Sequence, residues 1–153
     1  MTDAGFDVTK AHAFFAADGF NKTWGLLGKP DRTPVEDERM LELAMASVWH
    51  WTEREDATPS NLAVGYWQVS RVHAVLGRAD EAERYGQLSL DRANEDGNAF
   101  TIGYAWEALA RAASIAGHSP KVSERLAEAR ASAERVEDAE SRQWLLDDLA
   151  TIE

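Results

Sequence analysis

Two stripes of side chains forty residues apart hold the groups best equipped for recognition chemistry. Trp67, Arg71, Ala74 and Arg78 recur at intervals of three or four, the spacing that puts residues on one face of a helix. Tyr104, Glu107, Arg111 and Ser114 form the corresponding stripe further along the chain. Set side by side, Trp67 and Arg71 of the first stripe and Tyr104, Glu107 and Arg111 of the second offer two guanidinium forks, one carboxylate and two aromatic rings. A guanidinium meets a carboxylate or phosphate through two parallel hydrogen bonds, so Trp67, Arg71, Tyr104, Glu107 and Arg111 are the first candidates for a ligand site. A second use of the same residues stays open. Arg71 lies in a largely apolar stretch and needs a partner there, which Glu107 would supply.

Trp49, His50 and Trp51 are consecutive, so on a helix they cover more than half of its circumference and cannot be buried equally. Packing is the commoner role of such a cluster. The alternative is a small-molecule pocket walled by Trp24, His50 and Trp51. His12, His50, His73 and His118 share no metal-ligand spacing, so no metal site is expected. The acidic runs at 36–39, 53–57 and 136–140 do not follow a calcium-loop pattern. No nucleophile elbow, phosphate loop, metal-binding histidine helix or dinucleotide fingerprint is present, and the chain reads as non-catalytic and without a cofactor.

Composition narrows the classes further. A chain of 153 residues suits a single domain with a real core. Without cysteine it has no disulfides, thiolate metal sites or thiol catalysis. The 27 acidic and 16 basic residues leave a net charge of −11, which repels phosphate backbones, so nucleic acid is not an expected partner. No stretch approaches the length of apolar sequence that spans a bilayer, and a cytoplasmic protein with no membrane partner is the expectation.

The elements that would position these residues are read from punctuation. Prolines, glycines and capping residues divide the chain into seven helical segments with no strand alternation, an all-α pattern. Thr33, Pro34 and Glu36 spell a capping box ahead of the second helix, and Thr58 with Pro59 opens the third. Gly77, Gly97 and Gly117 close later ones, and Ser119 with Pro120 is expected to cap the sixth. GYWQVSRVHAVLGR at 65–78 returns as YAWEALARAASIAGH at 104–118, pairing Tyr66 with Trp106, Val69 with Leu109, Ser70 with Ala110 and Arg71 with Arg111. An internal repeat of this length predicts stacked helical hairpins at 7–56, 59–97 and 98–136 within one domain. A last helix at 138–152 would act as a cap, with Trp144, Leu145 and Leu149 inward and Asp147, Asp148 and Glu153 toward water.

Residues 63–97 resemble a tetratricopeptide repeat (TPR), through Tyr66, Val69, Ser70 and His73 in the first helix, Gly77 at the turn, and Ala82 and Leu90 in the second helix. Trp106, Leu109, Ala110, Gly117, Val122 and Leu126 give a second copy. Gly86 stands where a bulky aromatic is usual and Asn94 where proline is usual. Together with WGLLGKPDRTPVEDERM at 24–40, the pattern also resembles a group of uncharacterised bacterial TPR-like proteins. The resemblance implies a TPR-like α-α superhelix of three hairpins and a capping helix. It also implies that the first helix of each hairpin lines a concave groove, where the Trp67 and Tyr104 stripes would face a ligand. The function expected on that basis is an adaptor or scaffold binding a protein or peptide partner. Self-association as a homodimer is a further candidate.

Overall fold

The computed structural model describes residues 4–152, and every regular element among them is an α-helix. They run α1 (Val8–Leu27), α2 (Pro34–Thr52), α3 (Pro59–Val75), α4 (Ala79–Asp96), α5 (Ala99–Ile115), α6 (Ser119–Glu134) and α7 (Ala139–Leu149). Local chemistry sets most of the boundaries. Thr33 and Glu36 exchange side-chain and backbone hydrogen bonds at 3.2 and 2.8 Å, and Thr58 and Asn61 do the same at 3.1 and 3.0 Å. The Lys29 ammonium and the Thr33 amide hold the Glu36 carboxyl below its usual range. The sixth helix starts one residue earlier than Ser119 as a cap would place it. His118 is the N-cap, its Nδ1 accepting from the Lys121 amide at 3.3 Å, and Ser119 is already helical.

The internal repeat appears as a repeated helix ending. Gly77 and Gly117 adopt φ of 73° and 71°, a region that costs glycine little and other residues more. Each permits the following amide to reach back into the last turn, Arg78 to His73 O and His118 to Ala113 O, both at 2.9 Å.

Consecutive helices pack as pairs, α1 on α2, α3 on α4 and α5 on α6. Along the stack α3 touches both α1 and α5, whereas no backbone approach joins α2 to α4 or α4 to α6. The α1, α3 and α5 row is therefore the tighter one. Small residues let the helices approach closely. Ser47 Oγ donates to Ala16 O at 2.7 Å, Ser70 Oγ to Ala82 O at 2.7 Å and Ser89 Oγ to Ala63 O at 2.8 Å, each tying two helices where they cross. A Cβ at Gly86 would sit 3.0 Å from Leu109 Cδ2, which accounts for glycine where the repeat pattern calls for an aromatic. Arg125 clamps Glu83 at 2.5 and 2.6 Å and reaches Leu109 O at 2.8 Å, linking α4, α5 and α6.

Leu145, Leu149 and the following Ile152 close one end of the core over Ala110, Val122, Leu126 and Ala129. Trp144 departs from the inward placement expected of it and is 54% exposed. Leu145 and Leu149, four residues apart, define the buried stripe, and Trp144 lies about 100° round the helix from Leu145. Asp148 flanks the stripe instead of facing only water, and Glu153 lies outside the described residues. No helix among the described residues is long and apolar enough to cross a membrane.

Candidate functional site

Three of the five candidate residues, Trp67, Arg71 and Arg111, converge on the carboxylate of a fourth, Glu107. Glu107, on α5, is fully buried. Oε1 accepts from Arg71 Nη1 at 2.8 Å and from Arg111 Nε at 2.7 Å. Oε2 accepts from the Trp67 indole at 2.7 Å. A buried carboxylate is tolerable only when it is paired and hydrogen-bonded in this way. The two arginine side chains are 18% and 17% exposed, so they bridge this buried charge and the surface.

A third element, not foreseen in the sequence, completes the cluster. Asp148 on α7 accepts from the Tyr104 hydroxyl at 2.8 Å and lies 3.9 Å from Arg71 Nη2. Thr151 accepts from Arg111 Nη2 at 2.8 Å. Two arginines thus face two carboxylates and the cluster is close to neutral. Burial, then the bond to Asp148, pushes Tyr104 ionisation far above its usual range. Recruitment of α7 has no signal in the spacing of Asp148 or Thr151, since their contacts depend on how the last helix docks.

Trp67 is 7% exposed, held between Trp24 of α1 at 5.5 Å and Tyr104 of α5 at 5.2 Å between ring centroids. Phe20 lies 6.3 Å from Trp24 and Phe100 lies 4.9 Å from Tyr104. A continuous aromatic ladder therefore crosses α1, α3 and α5, with Trp24, 39% exposed, as its most accessible indole. The other residues considered with Trp24 have separate surroundings. His50 meets His12, with the two Nδ1 atoms 2.9 Å apart, and contacts the rings of Phe15 and Trp49. Burial and the nearby His12 keep His50 below its usual range despite Glu53. Trp51 stacks under the Arg54 guanidinium at 4.2 Å.

Two clefts open on either side of the Glu107 cluster. One, of about 190 Å³, lies between α3 and α5, walled by Ala63, Val64, Trp67, Phe100 and Tyr104 with Ser89 of α4 beneath. The other, of about 420 Å³, brings Arg71 and Arg111 to a surface shared with Leu27, Val75, Ile115 and Ile152. No group of three or more metal-ligating side chains assembles among the described residues. Such an arrangement holds ring faces and apolar side chains in fixed geometry, with its charges spent on one another. Comparison with known proteins gives no matching family model, no matching curated protein and no matching solved structure.

Proposed function

We propose that this chain is a non-catalytic binding module that holds a peptide segment of a protein partner along the face formed by α1, α3 and α5. The observation that carries the reading is the aromatic ladder from Phe20 through Trp24, Trp67 and Tyr104 to Phe100, flanked by two clefts. Rigid aromatic surface with little side-chain entropy left to lose is what peptide recognition draws on. Pairing of successive helices, recurrence of the Gly77 ending at Gly117 and closer approach within the α1, α3, α5 row support a TPR-like superhelix with this face concave. In that arrangement α7 is a cap that also anchors the Glu107 cluster through Asp148 and Thr151.

The arginines orient the face more than they grip a ligand. Arg111 spends its Nε and Nη2 donors on Glu107 and Thr151, and Arg71 Nη1 is spent on Glu107. The test is selection from a displayed random-peptide library, followed by affinity measurement with wild type and Trp24→Ala. Enriched peptides that bind wild type and lose at least about tenfold in affinity on Trp24→Ala, with helicity unchanged, are the expected result. Peptides that bind both proteins equally, or no enrichment, would refute the reading.

A further inference from the structure

The side-chain hydrogen-bond donors that line the 190 Å³ pocket between α3 and α5 are all committed to partners within the protein. Trp67 Nε1 donates to Glu107 and the Tyr104 hydroxyl to Asp148. Ser89 Oγ donates to Ala63 O, and Thr101 Oγ1 to Asn98 O at 3.1 Å. Even the first amides of α5 are occupied, since Phe100 N and Thr101 N both donate to Asn98 Oδ1 at 3.0 and 3.2 Å. What remains on the walls is mostly apolar surface, supplied by Ala63, Val64, Phe100 and the two ring faces.

We infer that this pocket receives one apolar, ring-sized side chain of the peptide partner, phenylalanine or leucine, and rejects side chains that bring in a carbonyl or carboxylate. The inference rests on the peptide-binding reading above and names the chemistry of its central subsite. Size and chemistry agree on the occupant. A dry apolar cavity of roughly 150 Å³ is enough for benzene, so the volume here admits a phenyl ring. A group that accepts hydrogen bonds would surrender water on entry and meet no free donor, which makes its burial unfavourable. Specificity here comes from what the pocket withholds.

Benzene and pyrazine are the discriminating probes, because they share a shape and pyrazine carries an acceptor nitrogen at each end. Whichever way pyrazine enters, one nitrogen faces the donor-free walls. Methyl NMR of labelled protein follows Ala63 and Val64 at the pocket. Benzene is expected to shift these methyls saturably, and pyrazine to bind at least about tenfold more weakly. Val64→Phe, which fills the pocket with its own ring, should abolish the benzene response while helicity is retained. Equal binding of the two probes, or benzene shifts confined to other methyls, would overturn the inference, and this comparison needs no variant to fold. Library-selected peptides separate this claim from the broader one. Peptides displaced by benzene support the pocket; peptides that need Trp24 yet are indifferent to benzene overturn the pocket and leave the binding face standing.

Discussion

Replacing Glu107 by glutamine tests the chemistry of the cluster at a single atom pair. The side chain keeps its shape, but its charge vanishes and one acceptor oxygen becomes a donor amide. Either the Trp67 indole, 2.7 Å away, or the Arg71 and Arg111 pair, at 2.8 and 2.7 Å, then faces a donor instead of an acceptor. Asp148, 3.9 Å from Arg71, is left as the nearby countercharge for both guanidiniums. Removing one partner of a buried ion pair costs about 3 to 5 kcal/mol. The arginines, 18% and 17% exposed, recover part of their hydration by turning outward, so the lower end applies, about 3 kcal/mol. For a chain of this length that corresponds to a fall in Tm of about 6 to 12 °C. Thermal unfolding followed by far-ultraviolet circular dichroism reads it directly. A Glu107→Gln protein melting within about 2 °C of wild type, the range of an ordinary surface substitution, would refute the reasoning.

Other consequences follow from the packing and the titrating groups. Gly103→Ala should cost about 1 to 3 kcal/mol, because its Cβ would collide with Leu145 Cδ2 in the core under α7, and faster amide exchange in α7 would localise the damage. Burial of His73, stacked on Tyr85 at 5.5 Å with its Nδ1 unpartnered, lowers its folded-state pKa from 6.5, against the pull of Glu81 and with Arg78 and Arg84. The unfolded chain then takes the proton more readily, so this stability is present above pH 6.5 and lost as pH falls through the folded pKa. Urea unfolding at pH 7 and pH 5 should show a smaller decline for His73→Phe than for wild type; equal declines would contradict the assignment. In alkaline absorbance titration, Tyr104 should stay un-ionised until the protein unfolds, and an ionisation lost in Tyr104→Phe but occurring in the ordinary range would contradict its bond to Asp148.

Legibility in the sequence followed the range of the interactions. Helix starts and stops depend on residues within a turn of one another, so Thr33 with Glu36 and the glycines at 77, 97 and 117 could be read directly. His118 escaped because an imidazole is an uncommon cap and Ser119 beside it is a common one. The Arg71 and Glu107 pairing was open to inference from the forty-residue offset between their stripes. Burial of the Trp67 ring was not, since it depends on Trp24 arriving from α1 and Tyr104 from α5. Asp148 and Thr151 were least visible of all. Their partners lie about forty residues away, and the docking angle of α7 follows from Leu145 fitting against Gly103. The exposure of Trp144 has the same origin: choosing which neighbouring apolar residue enters the core takes knowledge of the surface it meets.

The most direct test of the binding face is NMR mapping of a library-selected peptide on labelled protein, using methyl groups and the indole signals of the six tryptophans. The account predicts shifts concentrated at Trp24, Trp67, Val64 and Val75, with Trp49, Trp51 and Trp144 unmoved. Shifts centred on the Trp49 indole, exposed on α2 beside His12 and His50, would place binding elsewhere on the molecule and contradict it.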